Sequence, residues 1–231
     1  MALLAGVFAL GAYTQASGLL PSILQHWKDV VYLAKQHMQL VVISGGLAIL
    51  AGVPLGILLT RQGFRAYAGI VMQIVNLGTT IPTLAKLAIA MMVLGLGAPS
   101  AIFGLFVLTL LPIVLNTVAG IRTVPAHLIE AARGMGMTPG QILVQVELPN
   151  ALYVILAGIR TALAINVGTV PLAFLIGGGG LGELIFTGIN LMEPGMLLAG
   201  AISTALLAVF VDFVLGHAQY WLVPRGVNPL R

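Results

Sequence analysis

The chain has 231 residues, of which 59% are hydrophobic and only 7% are charged. Soluble domains carry about 25% charged residues, so this composition excludes a water-soluble globule and predicts an integral membrane protein. The net charge of +4 is the balance of ten basic and six acidic residues; the basic residues are scattered and do not indicate a nucleic-acid-binding patch, and the absence of cysteine excludes disulfides and thiolate metal sites.

The N-terminal part of the chain contains two apolar runs separated by a polar segment. Residues 2–20 predict a first membrane helix. Residues 21–37 are more polar and suit a position along the membrane interface. Residues 38–60 are long enough to cross a hydrocarbon core of about 30 Å, and this predicted span ends at Arg61.

The next apolar run, residues 66–97, is too long for one straight span and is interrupted at Ile81-Pro82. A proline inside a helix frees a backbone carbonyl, which in a bilayer must face protein or a water-lined cavity. We predict one broken span here. Lys86 falls inside it, and a pathway-lining role and a structural role are both open for this lysine.

Three further spans are predicted, over residues 99–121, 151–176 and 196–222, which gives about six in total. A polar loop, residues 122–150, precedes the fifth span, and a glycine-rich connector, residues 177–195, follows it. The fold class is therefore all-α, a polytopic bundle of membrane helices.

The predicted organisation has an N-terminal helix with its polar segment, a transmembrane domain that includes the polar loop, and a short tail. These parts cover residues 1–37, 38–222 (with the loop at 122–150) and 223–231.

The polar loop predicts two short helices around a glycine turn. Pro125 suits a first helical turn, and Gly134 and Gly136 can end that helix, because glycine readily adopts the left-handed conformation. Thr138 is the expected N-cap of the second helix, with Pro139 at its first position.

Basic residues predict the orientation of the spans. Cytoplasmic loops are enriched in lysine and arginine, so the loop at 122–150 and both termini are expected in the cytoplasm. The arginines that this arrangement places inside are Arg61, Arg65, Arg122, Arg133, Arg225 and Arg231.

The glycine-rich connector contains Gly177, Gly179 and Gly182 at the spacing G-x-G-x-x-G. A membrane run precedes it rather than a strand, so we do not interpret it as a dinucleotide-binding fingerprint. Two interpretations of this segment remain: a plain turn, and a gate whose backbone rearranges during transport. The candidate residues for the transport pathway or gate are Lys86, Asn166, Gly177, Gly178, Gly179 and Gly180.

No motif for catalysis or metal binding is present. The chain has no P-loop and no H-E-x-x-H, and its four histidines are far apart in sequence. We therefore expect neither an enzyme nor a metal protein, and we interpret the histidines as solvated or interfacial.

The polar loop resembles the EAA loop of ABC importer permeases. Glu130-Ala131-Ala132 is followed at the family spacing by Gly136 and then by Val146-Glu147-Leu148-Pro149, with Val146 where isoleucine is usual. The resemblance is strongest to the branch that transports the osmoprotectants glycine betaine, choline and carnitine. The stretches that carry it further are GVPLGILLTR (52–61), TIPTLA (80–85), ELPNALYVILAGIRTA (147–162) and NVGTVPLAFLIGGGGLG (166–182).

The resemblance implies a MetI-like permease fold in the bacterial inner membrane. It implies a second permease subunit, identical or different, two ATPase subunits that bind ATP and magnesium, and an extracytoplasmic substrate-binding protein. The chain itself would carry no cofactor. The residues that would dock on the ATPase or join the loop to the next span are Glu130, Ala131, Ala132, Gly136, Leu148 and Pro149.

Three alternatives remain at this point, one of which is a non-transporting membrane scaffold. Methionine-type permeases, which import amino acids, have a similar glycine-rich segment. A secondary transporter that couples to an ion would need ionisable groups within the membrane, and Lys86, Arg160 and Asp212 are candidates for that role.

Overall fold

The computed structural model describes residues 18–227, without the side chain of Arg65. The predicted helix at residues 2–20 and the end of the tail therefore lie almost entirely outside the described residues. All regular structure within residues 18–227 is helical.

The helices follow one another with short connections. They are α1 (Leu19–Gln25), α2 (Trp27–Leu59), α3 (Arg65–Thr80), α4 (Thr83–Leu94), α5 (Ala98–Arg122), α6 (Ala126–Gly134), α7 (Pro139–Ile142), α8 (Leu148–Thr169), α9 (Gly182–Asn190) and α10 (Pro194–Leu222). A π-helical turn, Leu143–Glu147, joins α7 to α8, and a 3₁₀ segment, Val170–Ile176, follows α8.

Up to five membrane spans lie within the described residues. Helices α2, α5 and α10 are each long and apolar enough to cross a bilayer, and so is the continuous helical stretch Pro139–Ile176. The fifth candidate is the pair α3 and α4, whose axes are bent by 105° at the break. The predicted break at Ile81-Pro82 is confirmed, because α3 ends at Thr80 and α4 begins at Thr83.

Helix α2 begins eleven residues before the predicted span. The segment 21–37 contains most of α1 and the first turns of α2, so no structural break occurs between residues 37 and 38. Val30, Leu33 and His37 are buried in the described structure, whereas Lys28 and Asp29 are exposed. The polar residues thus occupy one face of an amphipathic helix, which explains why composition alone placed the start of the span too late.

Helix α5 is the centre of the bundle and packs against α2, α4 and α8. Two glycines of α2 face it: a Cβ built on Gly52 would lie 2.9 Å from Ile113 Cγ2, and one on Gly56 would lie 2.5 Å from Thr117 Cβ. The GxxxG spacing of these glycines therefore permits close approach of two helices within the chain. Helix α10 packs against α8 and α9 and is the least buried of the four long candidate spans.

Candidate functional site

The polar loop forms a helix, a glycine turn and a second helix, as predicted. Pro125 is the N-cap of α6, one position before the predicted first turn. Gly136 has φ +78°, and its N–H donates to Arg133 O at 2.9 Å to close the end of α6. A Cβ at Gly136 would meet no atom within 4 Å, so glycine is required here by the backbone conformation and not by space.

The second helix begins with a capping box. Thr138 Oγ1 accepts from the Gln141 N–H at 3.4 Å, and the Thr138 N–H donates to Gln141 Oε1 at 2.8 Å. Pro139 occupies the first turn, where its missing N–H costs nothing. Thr138 and Pro139 therefore take the positions predicted from the sequence.

The second helix of the loop continues directly into the next span. The π-helical turn carries the chain from α7 into α8 without a break, and both Leu148 and Pro149 lie in the first turn of α8. The Asn150 Nδ2 donates to Val146 O at 2.7 Å across this junction. The second loop helix is thus one end of a stiff helical rod that extends through the bundle.

The loop presents an exposed tip. Glu130, Ala131 and Gly136 are exposed, and Met135 between them is 74% exposed. Ala132 differs from the prediction, because it is only 1% exposed and packs inside the chain. Its small side chain lets α6 lie close to the rest of the loop, and it is not available to touch another protein.

An ion pair fastens the loop to the end of α2. Arg61 Nη1 lies 2.6 Å from Glu147 Oε2, and the side chains are 27% and 12% exposed. The same guanidinium donates from Nη2 to Thr60 Oγ1 at 2.8 Å. The π-helical turn is therefore tied to a second membrane helix.

Sequence reasoning missed this ion pair. Arg61 was interpreted only as an orienting charge, and Glu147 only as part of the loop pattern. The usable signal was that both charges flank apolar spans, where an ionised group is stable only with a partner.

A cavity of ≈ 590 Å³ is lined by residues of the loop and of the end of α2. Its lining includes the paired Arg61 and Glu147 together with Arg133 and the apolar Ile129 and Ile142. The cavity leaves room behind the exposed tip of the loop.

Asn166, a candidate for the pathway, is completely buried between three helices. Its Nδ2 donates to Ser44 Oγ at 2.9 Å and to Thr109 Oγ1 at 2.6 Å. Ser44 and Thr109 in turn donate to the carbonyls of Leu40 and Leu105. Within this chain Asn166 joins α8 to α2 and α5 instead of lining an open path.

The glycine-rich segment forms a tight turn that is held by close packing and by a hydrogen bond to α2. Gly177, Gly179 and Gly180 have positive φ, and a Cβ on Gly178 would lie 2.6 Å from Ala101 Cβ. The Gly180 N–H donates to Gln36 Oε1 at 3.3 Å. These glycines meet conformational and packing demands at the end of the bundle opposite the loop, and a 3₁₀ segment instead of a strand precedes them.

The glycine turn also borders a cavity of ≈ 360 Å³, with the polar Gln36 and Gln39 among its lining residues. Close by, His37 is fully buried, and its Nε2 donates to Val167 O at 3.0 Å. The interpretation of His37 as a solvated or interfacial histidine was wrong, because this residue points toward α8 from the buried face of α2.

Lys86 lies in the first turn of α4, directly after the break, and is 9% exposed. Its backbone N–H donates to Pro82 O at 3.2 Å. Leu87, next to Lys86, and Val167, next to Asn166, belong to one buried cluster that also includes Ile176 just before the glycine turn.

Arg160 and Asp212 pair with each other. Arg160 Nε donates to Asp212 Oδ1 and Nη2 to Oδ2, both at 2.5 Å, and the side chains are 37% and 42% exposed. This bidentate contact joins α8 to α10. Two of the three groups considered for ion coupling therefore neutralise each other.

The chain matches the family model described as "Binding-protein-dependent transport system inner membrane component" over residues 52–225, about three quarters of its length. The chain belongs to this family. The resemblance inferred from the EAA loop is confirmed, and the permease is a multi-pass inner-membrane transport component, not an enzyme.

Relatives of the permease carry names from the predicted branch. It is 55% identical over 199 residues to "Osmoprotectant import permease protein OsmY" of Salmonella typhimurium. The match covers 86% of this chain and 84% of that protein. It is 45% identical over 185 residues to "Glycine betaine/carnitine/choline transport system permease protein OpuCD" of Bacillus subtilis, covering 80% and 78% of the two chains.

Among solved structures, the permease resembles a chain of the MetNI methionine ABC transporter in an inward-facing conformation. The TM-score is 0.74 at 26% sequence identity, and the match covers 86% of this chain and 95% of that chain. The predicted MetI-like fold is thereby confirmed.

Proposed function

We propose that this permease imports osmoprotectants such as glycine betaine, choline or carnitine, driven by a separate ATPase that docks on the polar loop. The names of the relatives support the substrate class. The continuous rod from α7 through α8 carries the mechanical part of the proposal, because a push on the loop is transmitted only if the loop and the span move as one body.

The exposed tip supplies the docking surface. Glu130 offers a carboxylate to a basic group, and Ala131 and Gly136 allow close approach of another chain. The Arg61–Glu147 ion pair would pass the same movement to α2. Binding of ATP and magnesium belongs to the ATPase subunits, since the permease has no P-loop.

The proposed assembly contains two permease subunits, two ATPase subunits and an extracytoplasmic binding protein. The loop and both termini would lie in the cytoplasm, following the distribution of arginines. The glycine turn would then lie on the outer side. There Gly177–Gly180 would act as a gate element beside the ≈ 360 Å³ cavity, where the binding protein delivers its substrate.

The proposal is tested by reconstituting the co-purified complex in liposomes and measuring ATP-dependent uptake of radiolabelled choline, glycine betaine and carnitine. A Gly136→Asp variant should lose both uptake and ATPase binding, because it adds a charged side chain at the exposed tip. Wild-type values for both measurements would rule out the docking role.

A methionine-type substrate is the second candidate, and the MetNI likeness favours it. Including radiolabelled methionine in the same uptake assay separates the two. Saturable methionine uptake without choline, betaine or carnitine uptake would replace the osmoprotectant assignment and leave the ATP-driven mechanism intact.

Ion-coupled transport by the permease alone is tested with the same preparation. Liposomes that contain only the permease, with an imposed proton or sodium gradient, should import none of these compounds. Gradient-driven uptake without ATPase subunits would contradict the proposal.

A further inference from the structure

Helix α3 has three faces that differ in their surroundings. An α-helix turns 100° per residue, so residues 68, 71, 72, 75 and 78 share one side. This side packs on α5: Ala68 and Val75 are buried in a cluster with Leu111, and a Cβ on Gly78 would lie 2.9 Å from Leu111 Cδ1. The packed face is the ordinary core contact of the helix.

The other two faces are both exposed but opposite in chemistry. The apolar face consists of Tyr67, Ile70, Ile74 and Leu77, each more than 60% exposed. The polar face consists of Ala66, Gly69, Gln73, Asn76 and Thr80, all exposed. Each face covers about 80° of the helix circumference by the same 100° period.

The polar face carries amides without partners. The side chains of Gln73 and Asn76 make no hydrogen bond to any described residue of the chain. A Cβ at Gly69 would meet nothing within 4 Å, so the space beside these amides is open. Unpaired amides are costly in hydrocarbon, whereas the apolar face is well suited to lipid.

The polar face leads to an open helix end. Thr80 Oγ1 donates to Leu77 O at 2.8 Å and so satisfies one carbonyl of the last turn. Pro82 has no N–H to offer the carbonyl of Gly78, four residues earlier. Ile81 and Pro82 are exposed at this break. The backbone carbonyls at the end of α3 therefore extend the polar surface beyond the side chains of the polar face.

We propose that this polar face of α3 is a wall of the water-filled substrate path, while the neighbouring apolar face of the same helix contacts lipid. The inference rests on the proposed transport function and assigns a path to a particular face. The wall is uncharged and offers amide and hydroxyl groups. It therefore suits weak, successive contacts with a small hydrated zwitterion or cation instead of tight capture.

Cysteine substitution tests the assignment directly, because the natural chain contains no cysteine. Gln73→Cys and Asn76→Cys probe the polar face. Ile70→Cys and Ile74→Cys are matched controls on the same helix, in the neighbouring apolar face. The full complex in liposomes is treated with a membrane-impermeant methanethiosulfonate reagent that carries a trimethylammonium group, with and without ATP.

The two polar-face cysteines should react about tenfold or more faster than the two controls, because the thiolate that attacks the reagent needs water. Their modification should block uptake, and excess transported substrate should slow it. Only variants that still co-purify with the ATPase are compared, so a misfolded variant does not enter the result.

Equal reaction rates at all four positions would overturn the assignment. A lack of reaction at Gln73→Cys and Asn76→Cys in either nucleotide state would also overturn it, because protein would then cover this face. A disulfide between two copies of the chain would identify the covering protein as a second permease. Uptake by the wild-type complex distinguishes failure of the proposed function from failure of the assigned face. A wild-type complex that imports nothing refutes the proposed function. Normal uptake together with equal labelling, or with unreactive polar-face cysteines, refutes only the assigned face.

Discussion

Arg61 and Glu147 form the contact that ties the loop to a second span. Both side chains are mostly covered, so removing one partner leaves a poorly solvated charge and should cost about 1–3 kcal/mol of stability. We expect Arg61→Ala to weaken stimulation of ATP hydrolysis by substrate and binding protein more than it weakens ATPase binding.

A double-mutant cycle gives the decisive measurement for this pair. If the two residues act together, the double variant Arg61→Ala/Glu147→Ala should lose less stimulation of ATP hydrolysis, expressed as a free energy, than the two single variants lose in sum. Arg122→Ala is the control, because Arg122 is an exposed arginine at the end of the neighbouring helix α5. Strict additivity would mean that the ion pair plays no part in coupling.

Asn166 joins three helices by two hydrogen bonds at 2.9 and 2.6 Å. Such bonds between membrane helices contribute about 0.6 kcal/mol each, so Asn166→Ala should destabilise the bundle by about 1 kcal/mol. The measurement is the melting temperature of the purified permease in detergent.

Thr161→Ala is the matched control on the same helix, because Thr161 is exposed and its hydroxyl only donates to Ala157 O. It should leave the melting temperature unchanged. An Asn166→Ala variant with wild-type stability but altered substrate selectivity would restore Asn166 as a pathway residue.

At the level of elements, the turn between α6 and α7 sets the angle of the loop tip. Alanine at Gly136 should cost about 1–2 kcal/mol locally, because φ +78° is unfavourable for a residue with a Cβ. Gly134→Ala is the control, since Gly134 lies in the helical region and its built Cβ also meets nothing within 4 Å.

The expected result is faster amide hydrogen exchange at residues 135–142 and weaker ATPase binding in Gly136→Ala only. If the two alanine variants exchange and bind alike, the left-handed turn is not what positions the tip. The comparison isolates backbone conformation, because neither glycine is confined by neighbouring atoms.

For the whole molecule, the proposed orientation places the loop and the α9–α10 connection on opposite sides of the membrane. Met135 is 74% exposed at the loop tip, and Leu191 is 66% exposed after α9. In intact cells, an impermeant maleimide should label Leu191→Cys, whereas Met135→Cys should react only after the membrane is opened.

Labelling of Met135→Cys in intact cells would place the loop outside and rule out any contact with a cytoplasmic ATPase. The cysteine-free background makes each signal specific to one position. The natural chain, which contains no cysteine, serves as the unlabelled control.

Several parts of the candidate site could be predicted because they depend on local chemistry. Thr138 and Pro139 start a helix through capping and a fixed φ, and Gly136 ends one through its freedom at positive φ. Ile81-Pro82 breaks a span because proline has no N–H. Each of these signals acts within a few residues, so the sequence contains all of it.

The sequence by itself therefore determined that this protein is a helical membrane protein, where its loop lies and where a span breaks, because apolar run length and backbone preference are local properties. Only the tertiary structure decided that Glu147 meets Arg61, that Asn166 and Ala132 are buried, and that α2 continues back to Trp27. Those outcomes depend on which helix faces which neighbour. Helices distant in the chain choose their faces by packing together, and no single stretch of sequence contains that information.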